Sequence, residues 1–249
     1  MKTYQIHLIR HGLIDGNLKG QYIGVTDQPL APEGVRQLLE LKELFRYPEG
    51  QRYYCSPLLR CRQTVKVLYP DARPVPVPGF SECSFGVFEG KTAGELEQDP
   101  RFVKWMEEGG TGAPPEGESG VDFQIRCCNA FIELVQELMK TGTTSAVVVA
   151  HGGTIMSILA AFGLPRANFF DWMCQNGHGY SLRVTPSLWM SGQVVEAYQM
   201  LPLGCGPKRA DEGKIILDVA REAADRAYGK PATAEDAQQR EQGDEPLEP

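Results

Sequence analysis

Histidine and arginine side chains occur in this sequence in a pattern suited to holding and attacking an anionic group. Two of the four histidines, His11 and His151, each follow an apolar stretch and precede a glycine. Arg10 adjoins the first of them, and Arg60 lies in the first turn of a helix that Ser56-Pro57 is expected to open. Guanidinium groups bind phosphate oxygens through paired hydrogen bonds, and helix N-termini attract anions. These residues predict a pocket for a dianionic phosphoryl group.

The predicted strands explain how two distant histidines could share that pocket. Residues 4–9 read as a short buried strand, and residues 145–150 form the continuous apolar run of a central parallel strand. In open α/β sheets, ligands bind at the carboxyl ends of the strands. We therefore expect the imidazoles of His11 and His151 to face one crevice. The alternative is a pair of core histidines bonded to backbone groups, and two histidines at strand ends favour the shared site.

The other predicted elements alternate between strand and helix, which indicates an α/β protein with a largely parallel sheet covered on both faces. Ser56 is expected to be an N-cap and Pro57 the first helical residue. Thr92–Glu95 fits a capping box, and Asp99-Pro100 is expected to start a further helix. The clearest helix carries an apolar seam at intervals of four and three, typical of a core-facing stripe: Val121, Ile125, Cys128, Ile132, Val135 and Met139.

Composition narrows the classes of function. The chain has 249 residues and a formal net charge of −7, which argues against a nucleic-acid or anionic-membrane partner. The absence of an apolar run of about 20 residues predicts no membrane helix. Seven cysteines without an export signal favour reduced thiols and a cytoplasmic location. Beyond Cys205 we expect one amphipathic helix at about 208–228, followed by a disordered acidic tail.

Several separated segments together resemble a known family. They are Leu8–Gly12 with Asn17, Gly24–Leu30, Ser56–Thr64, Ser81–Gly90, Pro115–Ser119 and Ala150–Gly153. In this order they resemble the motifs of the histidine phosphatase superfamily, the phosphoglycerate-mutase-like proteins, over about residues 3–200. The resemblance implies a three-layer phosphoglycerate-mutase-like fold, with a mostly parallel central sheet flanked by helices. It also implies a phosphatase domain at 1–204 and a C-terminal extension at 205–249.

The resemblance also implies how the phosphoryl group is held and attacked. His11 would be the nucleophile and form a phosphohistidine. Arg10, Arg60 and His151 would hold the equatorial oxygens, and Asn17 would add a neutral hydrogen bond. The attacking nitrogen must be unprotonated, so the other ring nitrogen of His11 is expected to donate to a fixed acceptor. No metal or other cofactor is implied, because the basic residues already supply positive charge.

Proton transfer is assigned by the same resemblance to a carboxylate. Glu82 is the candidate general acid and then the base that activates water, so its pKa is expected to be raised. Glu89 is a weaker rival and is expected to be structural. His7 is expected to lie in the core or on a face of the sheet, and His178 is a further candidate for the pocket lining.

The sequence therefore predicts a metal-independent phosphomonoester hydrolase acting on a small-molecule phosphate ester. Phe85–Gly90 and the short Pro115–Ser119 segment are similar to the phosphatase branch, and in particular to α-ribazole phosphatase-type enzymes. The implied substrate is α-ribazole phosphate or a similar nucleotide or sugar phosphate. Two alternatives stay open at this point: a phosphoglycerate-mutase-type phosphoryl transferase, and a non-catalytic phosphate-binding regulator.

Overall fold

The structure is a computed structural model that describes residues 2–110 and 112–205. The helix expected at about 208–228 and the acidic tail lie outside the described residues. All seven cysteines carry free thiols. In the part of the chain that is described, no helix has the length and apolar character needed to cross a membrane.

A sheet of seven strands forms the centre of the described chain. The strands are β1 (Tyr4–Arg10), β2 (Arg52–Cys55), β3 (Val75–Pro76), β4 (Ser145–Ala150), β5 (Gly163–Leu164), β6 (Gly179–Val184) and β7 (Val195–Leu201). Their order across the sheet is β3-β2-β4-β1-β6-β7-β5. β1 pairs with β4 in parallel and with β6 in antiparallel orientation, whereas β2 is parallel to both β3 and β4. The expected mostly parallel sheet is confirmed.

The described residues form helices that cover both faces of this sheet and others that lie apart from it. They are α1 (Asp15–Leu18), α2 (Pro32–Leu44), α3 (Leu59–Leu68), α4 (Ala93–Leu96), α5 (Pro100–Glu107), α6 (Gly120–Thr141), α7 (Gly152–Phe162) and α8 (Pro186–Gly192). Residues of α6, α7 and α8 pack on one face of the sheet with Leu8 and Val148. Residues of α2 and α3 pack on the other face with Ile9 and Val149. Successive strand residues thus point to opposite layers, as the pleat requires, and the three-layer expectation is confirmed.

A smaller aromatic cluster lies apart from these two cores. Its buried members are Tyr22, Phe85, Phe88, Leu96, Phe102 and Trp105. The expected capping box that starts α4 is present, with Thr92 and Glu95 bonding to each other's backbone N–H, and Asp99 caps α5 as expected. The cluster packs the 85–88 turn against these two helices.

The apolar seam expected on α6 is confirmed only in part: Val135 is buried, and Cys128, Ile132 and Met139 pack against the core. Val121 and Ile125 are 61% and 53% exposed. The buried stripe instead contains Phe123, Cys127, Ala130, Phe131, Leu134, Val135 and Leu138. The helix is apolar on more than one side, and the stripe with two phenylalanines buries more surface. Phe131 stacks on Phe162 of α7 at 5.8 Å between ring centroids, which fixes the rotation of α6.

The predicted start of α3 is also wrong. The helix begins at Leu59, two residues after Pro57, and Ser56 does not cap it. A carboxylate from a distant loop takes that role, because Asp27 Oδ1 accepts the backbone N–H of Leu59 at 2.5 Å. Arg60 nevertheless lies in the first turn of α3, as expected.

Candidate active site

His11 and His151 lie side by side at the carboxyl end of the sheet. β1 and β4 are adjacent and parallel, and Arg10 pairs with Ala150 as the last residue pair of the ladder. The backbone N–H of His11 donates to the carbonyl of Ala150 at 2.9 Å. The two ring centroids are 5.1 Å apart, with 63° between the ring planes. The crevice expected from the strand pattern therefore contains both imidazoles.

The hydrogen bonds of His11 fix its tautomer. Its Nδ1 lies 2.7 Å from the carbonyl oxygen of Gly12, which can only accept, so Nδ1 carries the hydrogen and Nε2 keeps a lone pair. Burial, together with the charges of Arg60 and Arg10, lowers the pKa of His11 well below its ordinary value of 6.5. The ring is thus neutral at neutral pH with Nε2 unprotonated.

Arg60 is held from three sides. It is almost fully buried, and its Nη1 and Nη2 donate to the carbonyls of Thr26 at 2.9 Å and Gly24 at 2.6 Å. Its Nε donates to Nδ1 of His151 at 3.2 Å. A guanidinium has five N–H hydrogens, so two remain on the terminal nitrogens for another acceptor.

His151 is oriented by Arg60 and by Ser56. Because Arg60 can only donate, Nδ1 of His151 accepts and Nε2 carries the hydrogen. Nε2 lies 2.7 Å from the hydroxyl of Ser56, which is fully buried. Burial, then the charges of Arg60, His11 and Arg10, lower the pKa of His151 well below 6.5. Ser56 is a site residue that the sequence analysis missed, since its position before proline was assigned to helix capping.

Arg10 presents an unsatisfied donor at the same place. Its Nη1 donates to the carbonyl of Cys174 at 2.7 Å. Its Nε is buried and is one of few such side-chain atoms within residues 2–110 and 112–205 that have no hydrogen-bond partner. A buried, unpaired guanidinium nitrogen costs free energy unless an acceptor is bound. Gly152 leaves room beside it, because a Cβ there would lie 3.3 Å from Nε.

Asn17 belongs to the same group through a second asparagine. The Nδ2 of Asn176 donates to the carbonyl of His11 at 2.9 Å and to Oδ1 of Asn17 at 3.3 Å. The oxygen of Asn17 is thereby engaged, which leaves its amide nitrogen to donate. Asn176 was not found from the sequence, because nothing local marks the 173–178 loop as returning beside β1.

Glu82 lies against the start of α7. Its carboxylate accepts the backbone N–H of Cys83 at 3.0 Å and of Gly153 at 3.2 Å. A Cβ at Gly153 would come within 2.5 Å of Oε1, so this close approach needs glycine. Burial raises the pKa of Glu82 above its ordinary value of 4.5, and the two N–H groups, Arg60 and Arg10 only partly oppose it. The expected raised pKa is confirmed.

Arg126 fixes the loop that carries this acid. Its Nη1 donates to the carbonyls of Gly79 and Ser81, each at 3.0 Å, and its Nη2 pairs with Glu118 at 2.6 Å. The sequence analysis missed Arg126, which lies on α6 just beyond the Pro115–Ser119 segment and outside the recognised motifs.

The remaining candidates lie at the periphery or in the sheet. His7 is buried in β1, where its Nδ1 lies 2.8 Å from the hydroxyl of Ser181 on β6, in agreement with the expected sheet position. His178 is half-buried, and its carbonyl accepts the backbone N–H of Arg10 at 2.8 Å. Within residues 2–110 and 112–205, no three His, Cys, Asp or Glu side chains converge in a way that could hold a metal ion.

Comparison with known families decides the assignment. A family model described as the histidine phosphatase superfamily (branch 1) matches residues 6–195. The chain belongs to the histidine phosphatase superfamily. An adenosylcobalamin/alpha-ribazole phosphatase of Salmonella typhimurium is 26% identical over 179 residues, which cover 70% of this chain and 87% of that one. A broad-specificity phosphatase of Saccharomyces cerevisiae is 30% identical over 163 residues, covering 62% and 68%.

A mutase also occurs among the relatives. A 2,3-bisphosphoglycerate-dependent phosphoglycerate mutase of Gloeobacter violaceus is 27% identical over 159 residues, covering 61% of this chain and 72% of that one. The fold agrees with a crystal structure of the alpha-ribazole phosphatase from Shigella flexneri, with a TM-score of 0.64 at 22% identity, covering 78% of this chain and 94% of that one. The family match and the phosphatase relatives indicate that the chain is a phosphatase. The structural likeness shows that it has the phosphoglycerate-mutase-like fold.

Proposed function

We propose that this histidine phosphatase hydrolyses phosphate monoesters through a phosphohistidine at His11, without a metal ion. The observation that carries the proposal is the state of His11. Its Nδ1 is bonded to the Gly12 carbonyl and its pKa is lowered, so Nε2 is an unprotonated nucleophile. The unpaired Nε of Arg10 supplies an anion-binding donor within the same group of residues.

The first chemical step would transfer the phosphoryl group to the protein. His11 Nε2 attacks phosphorus, the bond to the leaving oxygen breaks, and protonated Glu82 gives its proton to that oxygen. Charge on the three equatorial oxygens is balanced by Arg10 and Arg60, which is where most catalysis of phosphoryl transfer lies. Asn17 offers an amide N–H, and His151 offers the Nε2–H that it otherwise shares with Ser56.

The second step would regenerate the enzyme. Glu82, now a carboxylate, takes a proton from a water molecule as that water attacks phosphorus. The phosphorus–nitrogen bond to His11 breaks, inorganic phosphate leaves, and Glu82 is again protonated. Both steps need a carboxyl group with a raised pKa, because a carboxyl of ordinary pKa is nearly always ionised near neutrality.

For the substrate, we propose a small-molecule monophosphate such as α-ribazole phosphate or a similar nucleotide or sugar phosphate. The name of the Salmonella relative supports this class of substrate, and the name of the yeast relative supports a phosphatase. A mutase is the second candidate, supported by the Gloeobacter relative. A mutase would return the phosphoryl group of His11 to another substrate oxygen instead of to water.

The test is phosphate release from p-nitrophenyl phosphate, with a chelator present, by the wild type and His11→Ala. We expect steady turnover by the wild type and a loss of several orders of magnitude in the variant, as for removal of other covalent nucleophiles. His7→Asn, which removes a histidine from the sheet and not from the site, is the matched control and keeps near-normal activity. Turnover by His11→Ala at the wild-type rate would contradict the proposal.

Intact-mass measurement after rapid quenching separates the alternatives. A phosphoryl adduct at His11 with phosphate release indicates a hydrolase. The same adduct without release to water, but with transfer to an added phosphoglycerate, indicates a mutase. Neither adduct nor turnover would leave only a phosphate-binding protein.

A further inference from the structure

The carboxylate of Glu89 accepts hydrogen bonds from three consecutive backbone N–H groups, those of residues 24–26. Its Oε1 accepts the backbone N–H groups of Gly24 at 3.1 Å and Val25 at 3.0 Å. Its Oε2 accepts the N–H of Thr26 at 3.2 Å and also the Thr26 hydroxyl. Oε1 further accepts the N–H of Phe85 at 3.0 Å, which ties this segment to the loop that carries Glu82. Hydrogen bonds to a carboxylate are roughly twice as strong as neutral ones.

The same segment binds Arg60 through its other polar groups. The carbonyls of Gly24 and Thr26 accept the two terminal nitrogens of the guanidinium, and Arg60 Nε then donates to His151. A guanidinium is a rigid planar fork, so the spacing of its acceptors sets its orientation. Residues 24–26 thus connect a carboxylate outside the pocket to a cation inside it.

The connecting segment has little freedom to shift. A Cβ at Gly24 would lie 1.7 Å from the carbonyl oxygen of Cys83, so the backbones are already in contact there. Asp27, the next residue along, accepts the N–H of Leu59 at the start of α3. The segment is therefore held by Glu89 on one side and by α3, which carries Arg60, on the other.

We propose that Glu89 is a positioning residue for Arg60, acting through the backbone of residues 24–26. It sets where the guanidinium lies relative to His151 and to a bound phosphoryl group, and it does not touch the substrate itself. The inference rests on the proposed function, since it assigns Arg60 to the phosphoryl oxygens.

A double-mutant cycle tests this inference. Glu89→Gln keeps the shape but replaces one acceptor oxygen by an NH₂ group that cannot accept the Thr26 N–H. Displacing a catalytic group by about 1 Å can cost up to about 100-fold, so we expect kcat/KM for p-nitrophenyl phosphate to fall roughly 10- to 100-fold, mainly in kcat. In an Arg60→Met background there is no guanidinium left to orient, so the same substitution should lower kcat/KM by less than about threefold.

Glu95→Gln is the matched control. Glu95 also accepts a backbone N–H and a hydroxyl, both from Thr92, at 2.8 and 2.9 Å, but it has no connection to Arg60. It should leave kcat/KM within about twofold of the wild type, while lowering the melting temperature through the loss of its own capping bonds. Arg60→Lys replaces Arg60→Met in the cycle if the latter does not fold.

Two results would overturn the inference: an equal loss from Glu89→Gln in both backgrounds, or wild-type kcat/KM in Glu89→Gln. If the wild type turns over no aryl phosphate, the proposed function fails separately. The same cycle is then measured as the affinity for inorganic phosphate by calorimetry. Coupling between positions 89 and 60 supports the positioning role there, and additivity overturns it.

Discussion

Burial acts in opposite directions on the two kinds of acid–base residue at the site. It lowers the pKa of His11 and His151, because their charged form loses hydration, and it raises the pKa of Glu82 for the same reason. One desolvated pocket therefore provides both a neutral imidazole and a protonated carboxyl. An exposed histidine and glutamate would have the reverse charge states over much of the range between pH 4.5 and 6.5.

The pH dependence of turnover tests whether Glu82 is protonated and His11 is neutral in the active enzyme. Because protonated Glu82 donates to the leaving group, kcat/KM should fall as pH rises through its raised pKa. On the acid side of the profile, kcat/KM should fall only well below pH 6.5, where His11 becomes protonated. Glu82→Gln cannot ionise, so it should lose the alkaline limb and reduce turnover of an alkyl phosphate by about 10²- to 10⁴-fold. An aryl phosphate with a good leaving group should lose less. An unchanged alkaline limb in Glu82→Gln would contradict the assignment.

The residues that sequence alone identified differ in kind from those it missed. His11 and His151 follow predicted strands, so the rule for parallel sheets could place them together. Asn176 and Arg126 act through backbone carbonyls of distant loops. Such contacts depend on how two loops meet in three dimensions, and no local pattern in the sequence specifies that.

At the scale of whole elements, the strands were predicted better than the buried face of α6 and the start of α3. β4 has the predicted bounds and β1 extends one residue beyond its own, because short apolar runs between turns specify a central strand. The α6 seam was wrong at Val121 and Ile125 because that helix has apolar residues on several sides, and packing against α7 selects among them. Ser56 was assigned to a cap because serine before proline usually has that role, whereas here Asp27 supplies the cap and leaves Ser56 to His151.

The N-terminus of α7 offers a test at this scale. Gly153→Ala improves intrinsic helix propensity by roughly 1 kcal/mol, yet its Cβ would meet Glu82 Oε1 at 2.5 Å and the Phe123 ring at 3.1 Å. We expect kcat to fall at least about tenfold because the carboxyl is displaced. Gly94→Ala in α4 is the control, since nothing lies within 4 Å of a Cβ there. It should retain full activity with equal or higher stability. Unchanged kcat in Gly153→Ala would show that the acid tolerates this displacement.

For the molecule as a whole, the histidines make folding sensitive to acid. All four have a lowered pKa, and that of His7 is lowered to about 4 by burial. Between a lowered folded-state pKa and the unfolded value near 6.5, the unfolded chain binds more protons, so stability rises with pH in that window. The raised pKa of Glu82 acts in the opposite sense, but it is one group against four.

We therefore expect the free energy of unfolding, measured in urea, to fall as pH drops from 6.5 towards 4. The slope due to one fully buried histidine approaches about 1.4 kcal/mol per pH unit. His7→Gln should make the slope shallower between pH 6 and 4.5 without changing its sign. A slope identical to that of the wild type would show that His7 does not contribute.

The order of strands in the sheet has a consequence for the newly made chain. β1 is translated before the other strands of the described sheet, yet its neighbours, β4 and β6, begin only at Ser145 and Gly179. Until those strands are translated, β1 has two unpaired edges, which is the condition under which strands associate with other chains. His11 likewise has no partner histidine before residue 151 is made. From this topology we expect chaperones to protect the nascent chain before β4 and β6 are made. We also expect activity to appear abruptly once β6 is complete.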